Sequence, residues 1–86
     1  MHFLYILRNI QGWHYIGTAE DVSARFARHT RGAVKSTKGH RPLEVVYTET
    51  FPDKATALKR EIFLKRTAKA RLELFEKIDK PSSSSG

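Results

Sequence analysis

Glu61 is the residue with the clearest chemical signal in this sequence, because it falls at an apolar position of a predicted helix. At about 100° per residue, Glu61 lies between two groups of apolar side chains. Leu58, Ile62 and Ala55 stand on one side and Ala57 and Leu64 on the other, whereas Lys59, Arg60 and Thr56 fall on the solvent side. A carboxylate in such a place is unfavourable unless it is paired or bound to a cation. The alternative is a solvated glutamate paired with Lys65 one turn later.

Two further polar side chains point toward the core from an earlier predicted helix, in which Val22 and Phe26 mark the buried face. His29 falls about 20° from Val22, and Arg25 falls about 60° away, at the edge of the same face. Both side chains are therefore expected to lie toward the sheet or its rim.

Tyr5 and Tyr15 lie on a predicted hairpin, ten positions apart. A three-residue loop would place them directly opposite each other on one face, and a four-residue loop would place them on opposite faces. The sequence leaves both registers open. Hairpin tyrosines are also common as packing residues with a solvated hydroxyl, which is the simpler interpretation of each.

The elements that must position these side chains follow a β-β-α-β-α-α order. Apolar runs and turn residues predict strands over 3–7, 13–17 and 43–50, with helices over 22–31, 54–66 and 68–79. Asp21, Asp53 and Thr67 stand where N-caps are expected, and Gly32 where the first helix would end. Residues 33–42 are predicted to form a basic loop. The order predicts an α+β domain with a three-stranded, mostly antiparallel sheet flanked by helices.

The chain length and its Ser-rich end predict one domain over residues 1–79 followed by a tail over 80–86. The chain has 86 residues, which corresponds to a single domain with a modest core. Its last residues, Pro-Ser-Ser-Ser-Ser-Gly, offer nothing to pack, so we expect a disordered tail outside the fold. A run of this kind is also typical of an added cloning sequence.

Composition favours a soluble protein that binds a polyanion. Lys and Arg number 16 against 9 Asp and Glu, a formal net charge of +7. Such an excess favours nucleic acid, because each cation placed against a phosphate releases a counterion; a generally basic, soluble surface is the alternative. No apolar run approaches the roughly 20 residues of a membrane span, and the chain start lacks a signal-peptide pattern. The lack of cysteines excludes disulfides but does not fix the compartment, and the default expectation is the cytoplasm.

The ordered set of motifs resembles the GIY-YIG nuclease superfamily, in particular its small stand-alone bacterial members with a URI-type endonuclease domain. The resemblance rests on Leu4-Tyr5-Ile6, Tyr15-Ile16-Gly17, and Asp21-Val22 leading to Arg25 and His29. Downstream it rests on Lys59-Arg60-Glu61 with Leu64-Lys65-Arg66, and on Arg41-Pro42 followed by Leu43-Glu44-Val45-Val46-Tyr47. It covers about residues 2–78, and the order and spacing of the set make it specific.

The resemblance implies a metal-dependent endonuclease that hydrolyses phosphodiester bonds in DNA with Mg²⁺, which Mn²⁺ could replace. It implies that Glu61 binds the metal and that Arg25 engages the scissile phosphate. Tyr5 and Tyr15 match the motif tyrosines, one of which would activate the attacking water, and His29 matches a histidine found in many members. These residue types suit the chemistry, because Mg²⁺ prefers oxygen ligands and arginine binds phosphate through two parallel hydrogen bonds.

The proton acceptor stays open among Tyr5, Tyr15 and His29. Tyrosine has a reference pKa of about 10 and needs a metal or cationic neighbours to lower it, whereas His29 titrates nearer neutral pH; the resemblance favours Tyr15. Thr18 and Ala19 stand where the family often has a hydrophobic residue or a lysine and then a threonine. Loss of that threonine weakens a hydrogen bond at the helix start, and lack of a lysine removes one possible activator of Tyr15. Ser36 replaces an aromatic residue of the basic loop.

The basic loop is the expected surface for the substrate backbone, through Lys35, Lys38, His40 and Arg41. Without a separate recognition domain, cutting is expected to be weakly sequence-specific or directed by DNA structure, or to depend on self-association or a protein partner. RNA remains an alternative polyanion. A second hypothesis is a non-catalytic nucleic-acid-binding module in which Trp13 or Tyr47 stacks on unpaired bases. A third is a protein-interaction domain with a vestigial site.

Overall fold

β1 (His2–Asn9) is the central strand of a three-stranded antiparallel sheet in the order β2-β1-β3. The computed structural model describes residues 1–80. The other strands are β2 (His14–Ala19) and β3 (Leu43–Phe51), and the helices are α1 (Val22–Thr30), α2 (Lys35–Lys38), α3 (Lys54–Arg66) and α4 (Ala68–Asp79). The predicted α+β order is confirmed, with α2 as an addition. The predicted tail lies, apart from Lys80, outside the described residues.

The central position of β1 follows from its continuous apolar run, since Leu4 to Leu7 are all fully buried. Alternate side chains of the run point to opposite faces of the sheet. Leu4 and Ile6 pack with Ile16 and with Leu64 of α3, and side chains of α4 complete that layer. Tyr5 and Leu7 pack on the other face, against Val22 and Phe26 of α1. Helices therefore cover both faces, and Tyr5 belongs to the layer closed by α1.

Local capping signals predicted two helix starts correctly. The Asp21 side chain accepts a hydrogen bond from the Ala24 N–H, and Asp53 accepts one from the Thr56 N–H. Both bonds satisfy a backbone donor that a helix start leaves without a partner. Thr67 is the N-cap residue of α4, as predicted, but its side chain makes no capping hydrogen bond. Instead, Arg71 of α4 donates to the carbonyls of Leu64 and Lys65 at the end of α3.

The predicted basic loop over 33–42 contains a short helix, α2, so the loop assignment was wrong in part. Thr37 within α2 is fully buried. Its hydroxyl donates to the Val34 carbonyl and also contacts the His29 ring, which anchors this turn beneath the surface. A long-range contact of this kind has no local sequence pattern, and it holds the turn in place.

The apolar arc predicted for α3 was partly wrong. Ala57 and Leu64 are buried, but Ile62 is 51% exposed and Ala55 is exposed. Arg60, expected on the solvent side, is half-buried in an ion pair with Glu49 of β3. Because α3 has apolar residues around most of its circumference, a wheel alone does not identify the side that meets the sheet. Among the described residues, no helix has the length and apolar character needed to span a bilayer.

Candidate active site

The β1–β2 register places Tyr5 and Tyr15 on one face of the sheet. Leu7 pairs with Tyr15 and Tyr5 pairs with Gly17, so the tyrosines are diagonal neighbours with ring centroids 6.2 Å apart. The same-face alternative is therefore right, but the tyrosines are not directly opposite, because Asn9 pairs with Trp13 across the turn and this makes Gly17 the partner of Tyr5. The Asn9 side chain accepts from the Gln11 and Trp13 N–H groups, and its own N–H donates to the Trp13 carbonyl.

Gly17 leaves the space that the Tyr5 hydroxyl occupies. A Cβ at this position would lie 2.7 Å from the Tyr5 hydroxyl oxygen and 3.0 Å from Cε2 of Tyr15. Both rings sit on the sheet face that a side chain at this position would enter. The glycine is therefore required by close packing of the two tyrosines against the backbone of β2.

We expect Gly17→Ala to destabilise the protein by about 1–3 kcal/mol through overpacking, and to displace the Tyr5 hydroxyl. Thermal denaturation measures the first effect, and the chemical shifts of the His29 ring report the second. Gly12→Ala is the control for substitution of a hairpin glycine, since its Cβ would meet nothing within 4 Å; its φ of +87° adds only local backbone strain. An unchanged His29 spectrum in Gly17→Ala would contradict the prediction.

A buried chain of hydrogen bonds joins Tyr5 to His29 and His29 to Thr37. The Tyr5 hydroxyl lies 2.8 Å from Nε2 of His29, and Nδ1 of His29 lies 2.8 Å from Oγ1 of Thr37. Because the Thr37 hydroxyl proton goes to the Val34 carbonyl, its oxygen accepts from Nδ1–H. A neutral imidazole with its proton on Nδ1 has a free lone pair on Nε2. The Tyr5 hydroxyl therefore donates to His29.

The environment of this chain keeps both titrating groups neutral. Burial lowers the pKa of His29, and the charges of Arg25 and Arg28 lower it further. Burial also raises the pKa of Tyr5 to about 12, with a contribution from Tyr15 that Arg25 opposes. Near neutral pH, His29 is thus a free proton acceptor and Tyr5 retains its proton.

The lowered pKa of His29 predicts an acid-side loss of stability. Below about pH 6.5 the unfolded chain binds a proton at His29, whereas the folded protein does not. The free energy of unfolding therefore decreases as the pH is lowered. The fall ends near the lower folded-state pKa, and above pH 6.5 this contribution is constant. Urea denaturation between pH 4.5 and 8 measures it, with His29→Gln as the comparison. An identical pH profile for the two proteins would contradict this assignment.

Arg25 is half-buried on α1, one turn before His29. Its positive charge acts on both members of the hydrogen-bonded chain, because it lowers the pKa values of Tyr5 and His29. The helix face that buries His29 therefore also places the guanidinium beside the tyrosine hydroxyl, where an anionic group could bind.

Glu61 reaches the same centre from α3. Its side chain is only 17% exposed, and its Oε2 accepts a 2.8 Å hydrogen bond from Lys65 Nζ. Lys65 Nζ also lies 6.0 Å from the centre of the Tyr15 ring, and the Glu61 charge acts on Tyr5. Glu61 thus combines the inward position with the Lys65 pair. Helix α3 packs on the face of the sheet opposite to Tyr15. Its Lys65 side chain therefore reaches Tyr15 around the edge strand β2.

The donor set at this centre fits a hard divalent cation. Among the described residues, no group of three or more His, Cys, Asp or Glu side chains could hold a metal ion alone. Mg²⁺ commonly keeps several waters and binds through one or two carboxylates plus substrate phosphate oxygens. The Glu61 side chain, 17% exposed, suits that mode. A zinc-type site is a poor fit, because the sequence has no cysteine and the residues that the structure describes hold no cluster of histidines.

The basic residues predicted to bind nucleic acid lie on and after α2. Lys35 and Lys38 are exposed, and the His40 ring stacks on Trp13 with centroids 3.6 Å apart. Arg41 donates to the carbonyls of Lys38 and Thr30, so it also ties this segment to the end of α1. Thr37 joins the same segment to His29, which places the basic residues next to the candidate active site.

The two aromatic residues suggested for base stacking have different positions. Trp13 is half-buried, 6.4 Å from Tyr15 between ring centroids, at the margin of the site. Tyr47 packs against the core cluster on the other face of the sheet, and its hydroxyl donates to Glu49. Tyr47 is therefore unavailable at this site.

Sequence reasoning missed Thr37 and undervalued Lys65. Thr37 stands in a basic segment with no periodic pattern, so no signal marks it as the residue that fixes the His29 tautomer. Lys65 was visible as an i,i+4 partner of Glu61. Its Nζ lies 6.0 Å from the centre of the Tyr15 ring, so it supplies a positive charge beside that tyrosine.

The chain is similar to known proteins over most of its length. The model of the GIY-YIG catalytic domain family matches residues 1–74. A UPF0213 protein of Staphylococcus epidermidis is 43% identical over 77 residues, covering 87% of this chain and 94% of that protein. One from Staphylococcus aureus is 45% identical over 75 residues, covering 83% and 92%.

A solved structure is similar as well. The solution NMR structure of a UPF0213 protein from Bacillus halodurans has a TM-score of 0.57 and 30% identity, and the match covers 95% of this chain and 88% of that one. These relatives are small proteins that consist of one GIY-YIG domain. The chain therefore belongs to the GIY-YIG family of nuclease domains.

Proposed function

We propose that this protein is a Mg²⁺-dependent endonuclease that hydrolyses phosphodiester bonds in DNA. The observation that supports the proposal best is the gathering of a proton-accepting chain, a cation and a carboxylate at one edge of the sheet. Tyr5 and His29 supply the first, Arg25 the second and Glu61 the third. These are the groups that phosphodiester hydrolysis requires: a base, a phosphate-binding charge and a metal ligand.

The hydrogen-bond directions define a route for the proton of the attacking water. As the water oxygen bonds to phosphorus, its proton passes to the Tyr5 oxygen, while the Tyr5 hydroxyl proton passes to Nε2 of His29. Tyr5 ends the step neutral and His29 ends it as imidazolium, hydrogen-bonded to Thr37 through Nδ1. This relay suits the pKa of Tyr5, about 12, because the tyrosinate never has to accumulate. The leaving 3′ or 5′ oxygen takes its proton from solvent.

The charged side chains bind and orient the phosphate. Arg25 would donate to its non-bridging oxygens, where negative charge grows as the bond breaks. Glu61 would hold the divalent cation, which supplies Lewis-acid stabilisation of that charge and of the leaving oxygen. To do so, Glu61 must exchange its hydrogen bond with Lys65 for the cation.

Lys35, Lys38, His40 and Arg41 would contact the DNA backbone beside the site. Backbone contacts position the substrate but carry no sequence information. We therefore propose weakly sequence-specific or structure-directed cutting, with any stronger selectivity supplied by self-association or a protein partner.

The test is direct. Purified protein with Mg²⁺, and in parallel with Mn²⁺, is incubated with supercoiled, linear, single-stranded and branched DNA, and with RNA. Cutting of a DNA form that stops with EDTA supports the proposal. If DNA binds at low salt and no form is cut, the non-catalytic binding module is the correct function instead. Absence of both binding and cutting would reject every nucleic-acid function.

A further inference from the structure

A cavity between β2, α3 and α4 adjoins the candidate active site but takes no part in the proton route. We call it the α3–α4 cavity. It is lined by His14, Tyr15, Ile16, Lys65, Arg71 and Phe75. Tyr15 is shared between this cavity and the aromatic group around Tyr5, and Lys65 is shared with Glu61. The cavity thus lies directly next to the place where the scissile phosphate would bind.

Two cations of the lining, Lys65 and Arg71, have hydrogen-bond donors left over for an anion. Arg71 uses one guanidinium nitrogen, Nη1, for its bonds to the carbonyls of Leu64 and Lys65. Among the described residues, none accepts a hydrogen bond from its Nε or Nη2. Lys65 is half-exposed and bonds through Nζ to Glu61 alone. An ammonium from the end of α3 and a guanidinium from the first part of α4, both lining the cavity, suit the oxygens of a phosphate group.

The carboxylates that border the cavity are already engaged. Glu61 is bonded to Lys65, and Asp79 is bonded to Arg8 and to the His14 ring. The His14 ring stacks on Phe75 with centroids 4.1 Å apart, which fixes the far wall. The cavity therefore combines two cations, Lys65 and Arg71, with aromatic lining residues.

We propose that the α3–α4 cavity binds the phosphate of the nucleotide next to the scissile phosphodiester, through Lys65 and Arg71. This subsite rests on the proposed nuclease function, since it places a neighbouring nucleotide of the same strand. The substrate strand would then run from the basic segment around α2, past Tyr5 and Glu61, into the cavity.

The Glu61–Lys65 pair couples this subsite to the metal-binding carboxylate. While Glu61 holds Lys65, the ammonium is partly neutralised and binds phosphate weakly. Once the carboxylate is occupied by a cation, or its charge is removed, Lys65 is released toward the cavity. Linkage requires the converse, so phosphate in the cavity also weakens the Glu61–Lys65 bond and favours a cation on Glu61.

The test uses a probe that contains no phosphodiester bond, thymidine 3′,5′-bisphosphate, titrated into ¹⁵N-labelled protein without divalent metal. We expect amide shifts at residues 14–16 and 64–71. Lys65→Gln should weaken binding by about fivefold, the effect of one exposed charge–charge contact. Glu61→Gln should tighten it by a similar factor, and the double variant should return to the affinity of Lys65→Gln.

Lys69→Gln is the matched control, because it removes one positive charge from the same stretch without lining the cavity. It should change the affinity by less than about twofold. Arg71 also donates hydrogen bonds to the end of α3, so a variant that removes its charge could disturb the fold. Arg71→Lys keeps the charge and should retain most of the affinity for the bisphosphate.

Shifts confined to residues 33–41, or an equal loss in Lys69→Gln and Lys65→Gln, would reject the subsite. The titration breaks no bond, so its result is separate from that of the nuclease assay. Binding in the cavity by a protein that cuts nothing would reject the nuclease and keep the phosphate site. If the protein cuts DNA but does not bind the bisphosphate in the cavity, the nuclease function is kept and the phosphate site is rejected.

Discussion

Glu61→Gln is expected to abolish Mg²⁺-dependent cutting of DNA, with a loss of at least about 10³-fold in kcat. Glutamine keeps the size of the side chain and one oxygen, but it loses the negative charge that holds a divalent cation. Binding of DNA should be retained or tightened, because the substitution removes a carboxylate from a phosphate-binding surface and releases Lys65. Single-turnover cleavage and fluorescence anisotropy measure the two effects separately.

Glu73→Gln is the matched control for this substitution, because Glu73 is an exposed carboxylate on α4 away from Tyr5 and Lys65. Its cutting rate should stay within about twofold of the parent protein. A Glu61→Gln variant that still cuts at the parental rate would remove the carboxylate from the mechanism, whatever its effect on binding.

Tyr5→Phe is expected to lower kcat by about 10²- to 10⁴-fold, the usual contribution of a positioned proton acceptor. The Tyr5 hydroxyl donates to Nε2 of His29, so its removal interrupts the proposed route from water to histidine. DNA affinity should change little, since the phenol makes no charge contact with the backbone. The measurement is a pH–rate profile of parent and variant under single-turnover conditions.

Tyr15→Phe separates the two tyrosines. Because the Tyr15 hydroxyl is outside the hydrogen-bonded chain, we expect at most about a tenfold loss, the value of one hydrogen bond in the transition state. In the parent, the acid limb of the profile should fall below the ordinary pKa of histidine, since burial and Arg25 lower the pKa of His29. A larger loss in Tyr15→Phe than in Tyr5→Phe would transfer the role of proton acceptor to Tyr15.

The fold is largely determined by short-range signals. The apolar run of β1, the Asp21 and Asp53 caps and the Val-rich third strand predicted the element order and most boundaries, because capping and strand patterning depend on neighbouring residues. The wheel of α1 also placed His29 inward, where it is fully buried. The wheel of α3 was less informative, since apolar residues surround that helix and only packing selects the buried side.

The position of Glu61 shows how far the pattern of one helix reaches. The sequence offered an inward carboxylate and a pair with Lys65 as alternatives, and the structure combines them, although Ile62 of the predicted apolar arc is exposed. The helical pattern could not predict how close Glu61 and Lys65 lie to the two tyrosines. Lys65 lies over the Tyr15 ring because α3 crosses the β2 edge, and a crossing of two layers depends on contacts between residues nearly fifty positions apart.

Sequence by itself determined the family, the α+β architecture and the residue types gathered around Glu61. Tertiary structure alone decided the register that makes Tyr5 and Tyr15 diagonal neighbours, the burial of Thr37 and the direction of the bonds from Tyr5 through His29. The physical reason is the range of the interactions. Caps and periodic burial are settled within a turn or a strand, whereas a hydrogen-bond chain and its pKa shifts require residues from separate elements in one desolvated place.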